Sequence, residues 1–334
     1  MPVSLDEAKR NAQTDLDVTV IDEFRKESAI LDTLIFDEAV SPTTGGGATM
    51  TYGYRRQTTQ PTASTRAINT EYAAQNVESA HYTVTLAVMG GAFSIDRVSA
   101  RIGAAASGGV AHNMRQKIKA TRTVFQDMVI NGDTLVDAAG FDGLDKALTA
   151  SSTEFRPATV TNWSDLDTSA AVKFVGLDLL DEFLALLDGT PTVLVGHQKA
   201  LAKIRAIVRR TGMYVRDPIE GLLGPNGRPV VRETYGGVTL VDPGDKAGTS
   251  TPIIPVETRD IGGAQTNLTD IYAYRVALDG FHGVTTSDGQ LVNSWLPDFS
   301  QPGAVKSGEV ELGPVAVALK ATKAAAVFRN IKVA

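Results

Sequence analysis

The chain has 334 residues, 43% of them hydrophobic and 21% charged, with a formal net charge of −6 and no cysteine. This balance fits one large or two ordinary globular domains and excludes a disordered polymer, and the lack of thiols excludes a disulfide framework or thiolate metal site and suits a reducing cytosol. No uncharged stretch reads as a membrane span and no basic-then-apolar leader opens the sequence, so a soluble protein with no membrane partner is expected.

The charge is unevenly placed. Residues 1–40 hold ten acidic and four basic side chains, a difference of six, so the whole formal excess sits there. An imbalance confined to one segment fits a docking partner of opposite sign, and equally a solvated tail. Ser4 to Glu7 fits a capping box and Thr19 to Asp22 a second helix start, behind which Ile21, Phe24, Leu31, Leu34 and Ile35 form an apolar stripe. A stripe this narrow needs something to cover it.

Ser41 to Gly47 breaks that helix, and no Leu, Phe or Trp occurs from Asp37 to Thr85. Thr51 to Arg56 alternates, as do Tyr82, Val84, Leu86 and Val88, which predicts two strands flanking a polar middle in a long β-hairpin. A lone hairpin is marginal in water and its open edges invite pairing, so it is expected to lie on a neighbouring copy.

Next, Val110, Met114, Ile118, Thr121, Phe125 and Met128 trace one face of a 3.6-period helix over about residues 108–130, roughly 30 Å long at 1.5 Å per residue. Ser107 is the candidate N-cap and Gly132 the stop, on the ground that glycine at C′ reaches the left-handed region freely. Arg97, Arg101, Arg115, Lys117, Lys119 and Arg122, with no acid among them, make its solvent face positive. Gly140 to Leu148 reads as a tight turn in which Phe141 and Leu144 pack back on the helix end.

Val175, Leu179, Leu180, Phe183, Leu184 and Leu187 predict a second helix, Thr190 to Val195 a buried strand, and Leu201, Ile204, Ile207 and Val208 a third helix with Lys199, Lys203, Arg205, Arg209 and Arg210 outward. Helix, strand, helix implies an α/β layer. Gly236 to Asp242 and Asp270 to Leu278 add strands, while Gly221 to Pro229 and Gly244 to Pro255 read as loops. Val310 to Leu319 and Ala325 to Ile331 are two terminal strands.

In this order, the wording from Val20 to Phe36, the long helix, the Asn131-Gly132 turn and the Gly140 to Leu144 segment resemble the N-arm, spine helix and Gly-Phe/Ile-x-Gly-Leu segment of tailed-bacteriophage major capsid proteins, the HK97-like fold family. The resemblance implies an α+β fold. It places an N-terminal arm at 1–48, an extended hairpin (E-loop) at 49–93, a P-domain with spine helix and β-sheet at 94–163 and 301–334, and an α/β A-domain at 164–300. It implies a structural protein of the virion capsid rather than an enzyme, with no cofactor, assembled in the host cytoplasm into pentamers and hexamers of an icosahedral shell. Partners implied are further copies of the chain, a portal protein, room for a decoration protein over the hairpin joint, and packaged double-stranded DNA held without sequence specificity. Only about forty residues precede the hairpin, so a separate scaffolding protein is expected. An encapsulin-like shell around a cargo enzyme is the alternative, against which the long acidic arm argues.

Inter-subunit contacts are expected in three places. Asp22, Glu23 and Phe24 of the arm would dock on Lys117, Lys119 and Arg122 of a neighbour's helix. Arg55, Arg56 and Arg66 of the hairpin would grip carboxylates beneath it through guanidinium forks. Asp178, Asp181 and Glu182 would meet Lys203, Arg205 and Arg210 on the next A-domain, a pairing of unlike patches that suits ring closure. No Lys occurs between Lys26 and Lys117, so the hairpin lacks the amine for the isopeptide crosslink found in some members of the family.

Catalytic constellations are few. His81, His112, His197 and His282 are the only histidines, and no zinc-protease, Walker, nucleophile-elbow or EF-hand spacing occurs. Gly45 to Gly47 lacks the Lys-Ser/Thr that would reach a phosphate. His197 ends an apolar strand, where an α/β hydrolytic enzyme would carry its base, but no nucleophile pairs with it and a structural histidine is the preferred reading. Asp178, Asp181 and Glu182 have helical spacing for a divalent cation, yet read better as a solvated or partner-facing surface. The basic faces lack interleaved aromatics and the pI is about 5.3, which argues against sequence-specific DNA binding.

Overall fold

The structure, a computed structural model, describes residues 30–38, 50–102, 109–164, 175–211, 215–223, 229–286 and 291–334, with the side chains of 101–102, 210–211, 215–223 and 229–232 outside that description. The arm ends in one helical turn, α1 (Ile30–Thr33), and a two-residue strand, β1 (Phe36–Asp37). The predicted hairpin is β2 (Thr51–Gln57) and β3 (Ser79–Thr85), paired antiparallel from Thr51↔Thr85 to Gln57↔Ser79. Beyond the ladder the two arms stay joined by side chains: Thr62 N–H donates to Gln75 Oε1 at 2.7 Å and Glu78 N–H to Thr59 Oγ1 at 2.7 Å.

The chain leaves the hairpin at buried Leu86 and enters β4 (Ala87–Asp96), so the alternation from Tyr82 to Val88 spans two strands rather than one. Then come α2 (Arg97–Ile102), the long helix α3 (Gly109–Asn131), α4 (Leu144–Leu148), and the short strands β5 (Glu154–Phe155) and β6 (Thr161–Asn162). The second half holds α5 (Val175–Leu184), β7 (Val193–Gly196), α6 (Gln198–Thr211), β8 (Val215–Leu223), β9 (Pro229–Tyr235) and β10 (Val238–Val241). It closes with β11 (Glu257–Asp260), β12 (Ala264–Tyr274), β13 (Phe281–Thr285), β14 (Val292–Trp295), β15 (Val305–Leu319) and β16 (Ala325–Lys332). Gly221 to Pro229, read as a loop, contains the end of β8 and the start of β9. The candidate cap Ser107 and most of the stripe from Ile21 onward lie outside the described residues.

Two larger sheets organise these strands. One runs β1-β13-β15-β14 with β4 also on β15; the other runs β5-β16-β12-β7-β10-β9-β8, with β11 on β12 and β6 on β16. The terminal strands β15 and β16 therefore do not form one unit. A 3-10 turn at Thr322–Ala324 redirects the chain, and β16 becomes an inner strand of the second sheet, between β12 and β5. In the same way β13 and β14 join β15, although they lie within the segment assigned to the α/β domain.

The central strands of the second sheet, β7, the second half of β12 and β16, are buried on both faces, which explains their near-continuous apolar runs. Val193, Val195, Tyr272, Tyr274 and Val327 face a core shared with α3, α4 and the first sheet; Leu194, Ile271, Ala273, Ala326 and Phe328 alternate with them and face α5 and α6. Leu201, Ile204, Ile207 and Val208 are buried as their spacing predicts.

The buried face of α3 is Met114, Thr121, Phe125, Gln126, Val129 and Ile130, wider at its end than the predicted stripe because α1, Phe141, Leu144 and Leu148 cover the last turns. Gly132 does stop this helix, but for a different reason from the one expected. It is not among the positive-φ glycines; instead a Cβ there would stand 2.3 Å from the Phe141 carbonyl oxygen and 2.5 Å from that of Met128. Gly143 faces it and donates to the Gly132 carbonyl at 2.8 Å. Backbone contact this close excludes any side chain. Lys146 fastens the turn from outside, bonding Asp133 at 2.6 Å and Asp142 at 2.9 Å.

Candidate functional site

The surfaces singled out by sequence fall into three regions, and in each the chain already satisfies part of the charge from within. At the hairpin, alternation divides the residues by face. Tyr52, Tyr54 and Arg56 point to the body, while Thr51, Gly53, Arg55 and Gln57 point away and are exposed. Arg56 spreads its fork over the turn after β15, donating to the Leu319 carbonyl at 2.7 Å, the Lys320 carbonyl at 3.0 Å and Thr322 Oγ1 at 3.1 Å, with its guanidinium 4.5 Å above the Tyr82 ring. Tyr54 adds a bond to the Leu319 carbonyl at 2.9 Å. Arg56 thus serves the root of its own hairpin through backbone oxygens rather than gripping carboxylates. Arg66 is likewise engaged locally, with the Thr70 carbonyl at 3.1 Å. Arg55 stands exposed on the outer face.

At the tip, Ile68 is 89% exposed, with Tyr72 and Val77 also open to solvent. Such apolar groups on a two-stranded projection have no core of their own chain to join.

The described end of the arm packs on its own chain. Ile30 and Leu34 are buried in the core beside α3, Phe36 lies 6.2 Å from the Phe125 ring, and Asp32 meets Arg122 at 2.8 Å. The opposite charges of arm and helix do pair here, within one molecule. Asp22, Glu23 and Phe24 lie outside the described residues. Lys117 lies along β4, near Gly91, and Lys119 faces the loop at 245–249 across a cleft of about 270 Å³.

The α5 and α6 faces also carry internal contacts. Asp178, Asp181 and Glu182 are exposed on one side of α5, and Asp181 accepts the Tyr235 hydroxyl at 2.7 Å. Burial and that carboxylate together hold the Tyr235 phenol above its usual range. Arg205 pairs with Glu233 at 2.5 Å and Lys203 donates to the Ser164 carbonyl at 3.2 Å; the Arg210 side chain is outside the description. His197 Nδ1 accepts the Lys199 N–H at 3.0 Å, which makes it a cap for α6. Among the described residues no three His, Asp or Glu side chains gather as metal ligands, and no helix is long and apolar enough to cross a membrane.

Sequence reasoning missed one cluster. A polar cleft of about 450 Å³ between α4, β12 and β16 is lined by Asp145, Glu154, Asp270, Arg259 and Arg329 among others. Arg329 contacts Asp145, meets Glu154 at 2.9 Å and reaches Asp270 at 3.1 Å. Arg259 forks onto Asp270 at 2.7 and 2.9 Å, and Tyr272 donates to Asp145 at 2.8 Å. Burial works against the charge on both guanidiniums, yet the surrounding carboxylates outweigh it and hold both above their usual value. Each charged group is occupied by another, which makes the cluster a fastener between strands and helix rather than a reaction centre. Its members are scattered from position 145 to 329, so no local signal announces them.

No protein-family model matches the sequence, and no curated protein matches it. Solved structures do match along the whole length. The encapsulin SrpI of Synechococcus elongatus PCC 7942, solved as a holo complex, aligns over 100% of this chain and 97% of its own at 15% identity, with a TM-score of 0.58. The capsid of Myoviridae phage XM1 aligns over 96% and 97% at 10% identity and 0.56, and a structure of Mycobacterium phage Bobi over 99% and 99% at 11% identity and 0.55. The chain has the HK97-like capsid fold. Within that α+β fold, the two sheets share one core across β12 and β16 while the hairpin stands apart as its own two-stranded sheet.

Proposed function

We propose that this chain is a shell-forming structural protein, the major capsid protein of a tailed phage, whose copies close into pentamers and hexamers around double-stranded DNA. The observation that carries the reading is the hairpin. Its 21-residue middle, 58–78, is exposed throughout, including three large apolar side chains, and a projection that buries so little on its own chain is stabilised when a second copy covers it. Full-length likeness to capsid structures supports the same reading.

Under this reading 1–48 is the arm, 49–93 the E-loop, 94–163 and 301–334 the P-domain, and 164–300 the A-domain, with β13 and β14 returning to the P-domain sheet. Arg55 and the hairpin tip contact a neighbour, as do Lys117 and Lys119 on α3 and the faces of Asp178, Asp181, Glu182 and of Lys203, Arg205 and Arg210. Arg122 and Arg56 contribute by holding the arm and hairpin root in place. A portal protein, a separate scaffolding protein and a decoration protein are the further partners of such a shell, the DNA is held without sequence specificity, and the mature location is the virion.

The encapsulin-like reading is kept because SrpI aligns over this whole chain. Electron microscopy of the purified full chain tests the shared part: closed icosahedral particles support a shell protein, and a dispersed monomer refutes it. Nuclease-protected DNA inside native particles identifies the capsid, whereas a co-purifying enzyme inside them identifies the encapsulin-like shell.

A further inference from the structure

The base of the hairpin, the end of the arm and the first sheet meet at one buried histidine. His282, the second residue of β13, is 0% exposed, and neither ring nitrogen has a hydrogen-bond partner within 3.5 Å, the Gly280 backbone being among the groups that favour its protonated form. Facing it are Asp37 from β1, Tyr52 from β2, Lys320 from the turn after β15 and Asp279 from the turn before β13. Its Nε2 stands 4.0 Å from Asp37 Oδ2, too far for a bond. That carboxylate oxygen already accepts the Tyr52 hydroxyl at 3.0 Å and faces Lys320 Nζ at 3.9 Å. The Tyr52 ring meets the imidazole edge-on at 6.0 Å, and Lys320 Nζ lies 5.4 Å from the centre of the same ring.

We propose that His282 is an acid-sensitive latch: its protonation loosens the arm end and the hairpin base from the sheet they share. A proton on this ring places a second cation, itself cut off from water, near Lys320, and the one carboxylate described within 4 Å of both cations, Asp37, already accepts the tyrosine hydroxyl. Relief requires opening, and the elements that can open are the small ones. β1 is only two residues long, held by its parallel pairing to β13 and a bond from Gly283 N–H to the Ile35 carbonyl at 2.8 Å. The hairpin base rests on Tyr52, Tyr54 and Arg56, while β13 itself is fixed along five residues of β15. Opening at β1 and β2 therefore solvates the ring without breaking the sheet.

The direction is consistent on linkage grounds. Burial lowers the proton affinity of His282 and Lys320 lowers it further, while Asp37, the Gly280 backbone and Asp279 offset only part of the loss. The closed form then binds the proton more weakly than the opened form, so closure contributes its full stability above histidine's ordinary value of about 6.5 and loses it as pH falls below. One proton changes the opening equilibrium by at most about tenfold per pH unit.

The latch belongs to one chain, so its test stands apart from the shell reading. Hydrogen exchange of the full chain, corrected for intrinsic rates, is compared at pH 7.5 and 5.5 for peptides covering 30–38 and 50–57, with 325–332 as the internal reference. The expected result is a fall in protection of up to about tenfold at pH 5.5 in the two junction peptides only. His282→Gln should abolish the response, and Lys320→Met, which removes the competing cation, should reduce it without touching the ring. Unchanged or increased protection at pH 5.5 in the native chain overturns the latch, as does a full response in His282→Gln. Should that variant lose protection at every pH, the Lys320→Met comparison decides alone, an undiminished response counting against the proposal.

Discussion

The hairpin and the second sheet are built from the same kind of element and are opposites in how they are held. β12 and β16 have neighbours on both edges and apolar cores on both faces, and a buried charge cluster pins them to α4. β2 and β3 have each other, a root fastened by Tyr54 and Arg56, and beyond Gln57 one backbone bond, from Thr58 N–H to the Glu78 carbonyl at 2.9 Å, and side-chain bonds across an exposed loop. A two-stranded ribbon buries too little apolar surface to offset the entropy of ordering it, whereas a strand packed on both faces carries a large surplus. The contrast separates what the chain buries within itself from what it leaves exposed.

Substitutions at the two extremes test that contrast. Phe328 is fully buried against Phe155, Trp163 and Phe183, so Phe328→Ala should cost about 3–5 kcal/mol in urea unfolding; a loss under about 1 kcal/mol would mean the α5/α6 core is not packed as described. Arg329→Met leaves Glu154 without its cation and Asp270 with Arg259 alone and should cost about 3 kcal/mol, and a neutral outcome would show that the cluster relaxes with water. Arg56→Ala should cost about 1.5–3 kcal/mol, confined to the hairpin: hydrogen exchange should rise in β2 and β3 and stay unchanged in β12. Equal loosening of both would erase the distinction between root and body.

Reversal of Lys117, Lys119 and Arg122 should change the stability of the isolated chain by less than about 1 kcal/mol, because these side chains are partly exposed and the Arg122 to Asp32 ion pair is half-exposed. Light scattering should nevertheless show impaired assembly, and normal shells from the triple variant would remove α3 from the interface. The smallest expected effect is none at all. With no Lys between Lys26 and Lys117, particles boiled in detergent should run as one band near 35.3 kDa, and a ladder containing hairpin peptides would show a covalent joint that arginine chemistry does not supply.

Elements whose cause is local were legible in the sequence. The period of α3, the two alternating strands that open and close the hairpin and the inward face of α6 follow from residue spacing, because steric repeat and apolar patterning act over a few positions. The order of segments also sufficed for the fold resemblance. What the spacing did not contain was partnership. That β15 and β16 part into different sheets, that Gly132 is required by the Phe141 carbonyl rather than by its own φ, and that Asp32 takes up Arg122 depend on residues distant in the chain. The same holds for the Arg329 cluster and for His282 beneath Tyr52, since a charge or a ring nitrogen acquires its role from what the folded chain brings within about 4 Å of it, and no linear pattern encodes that distance.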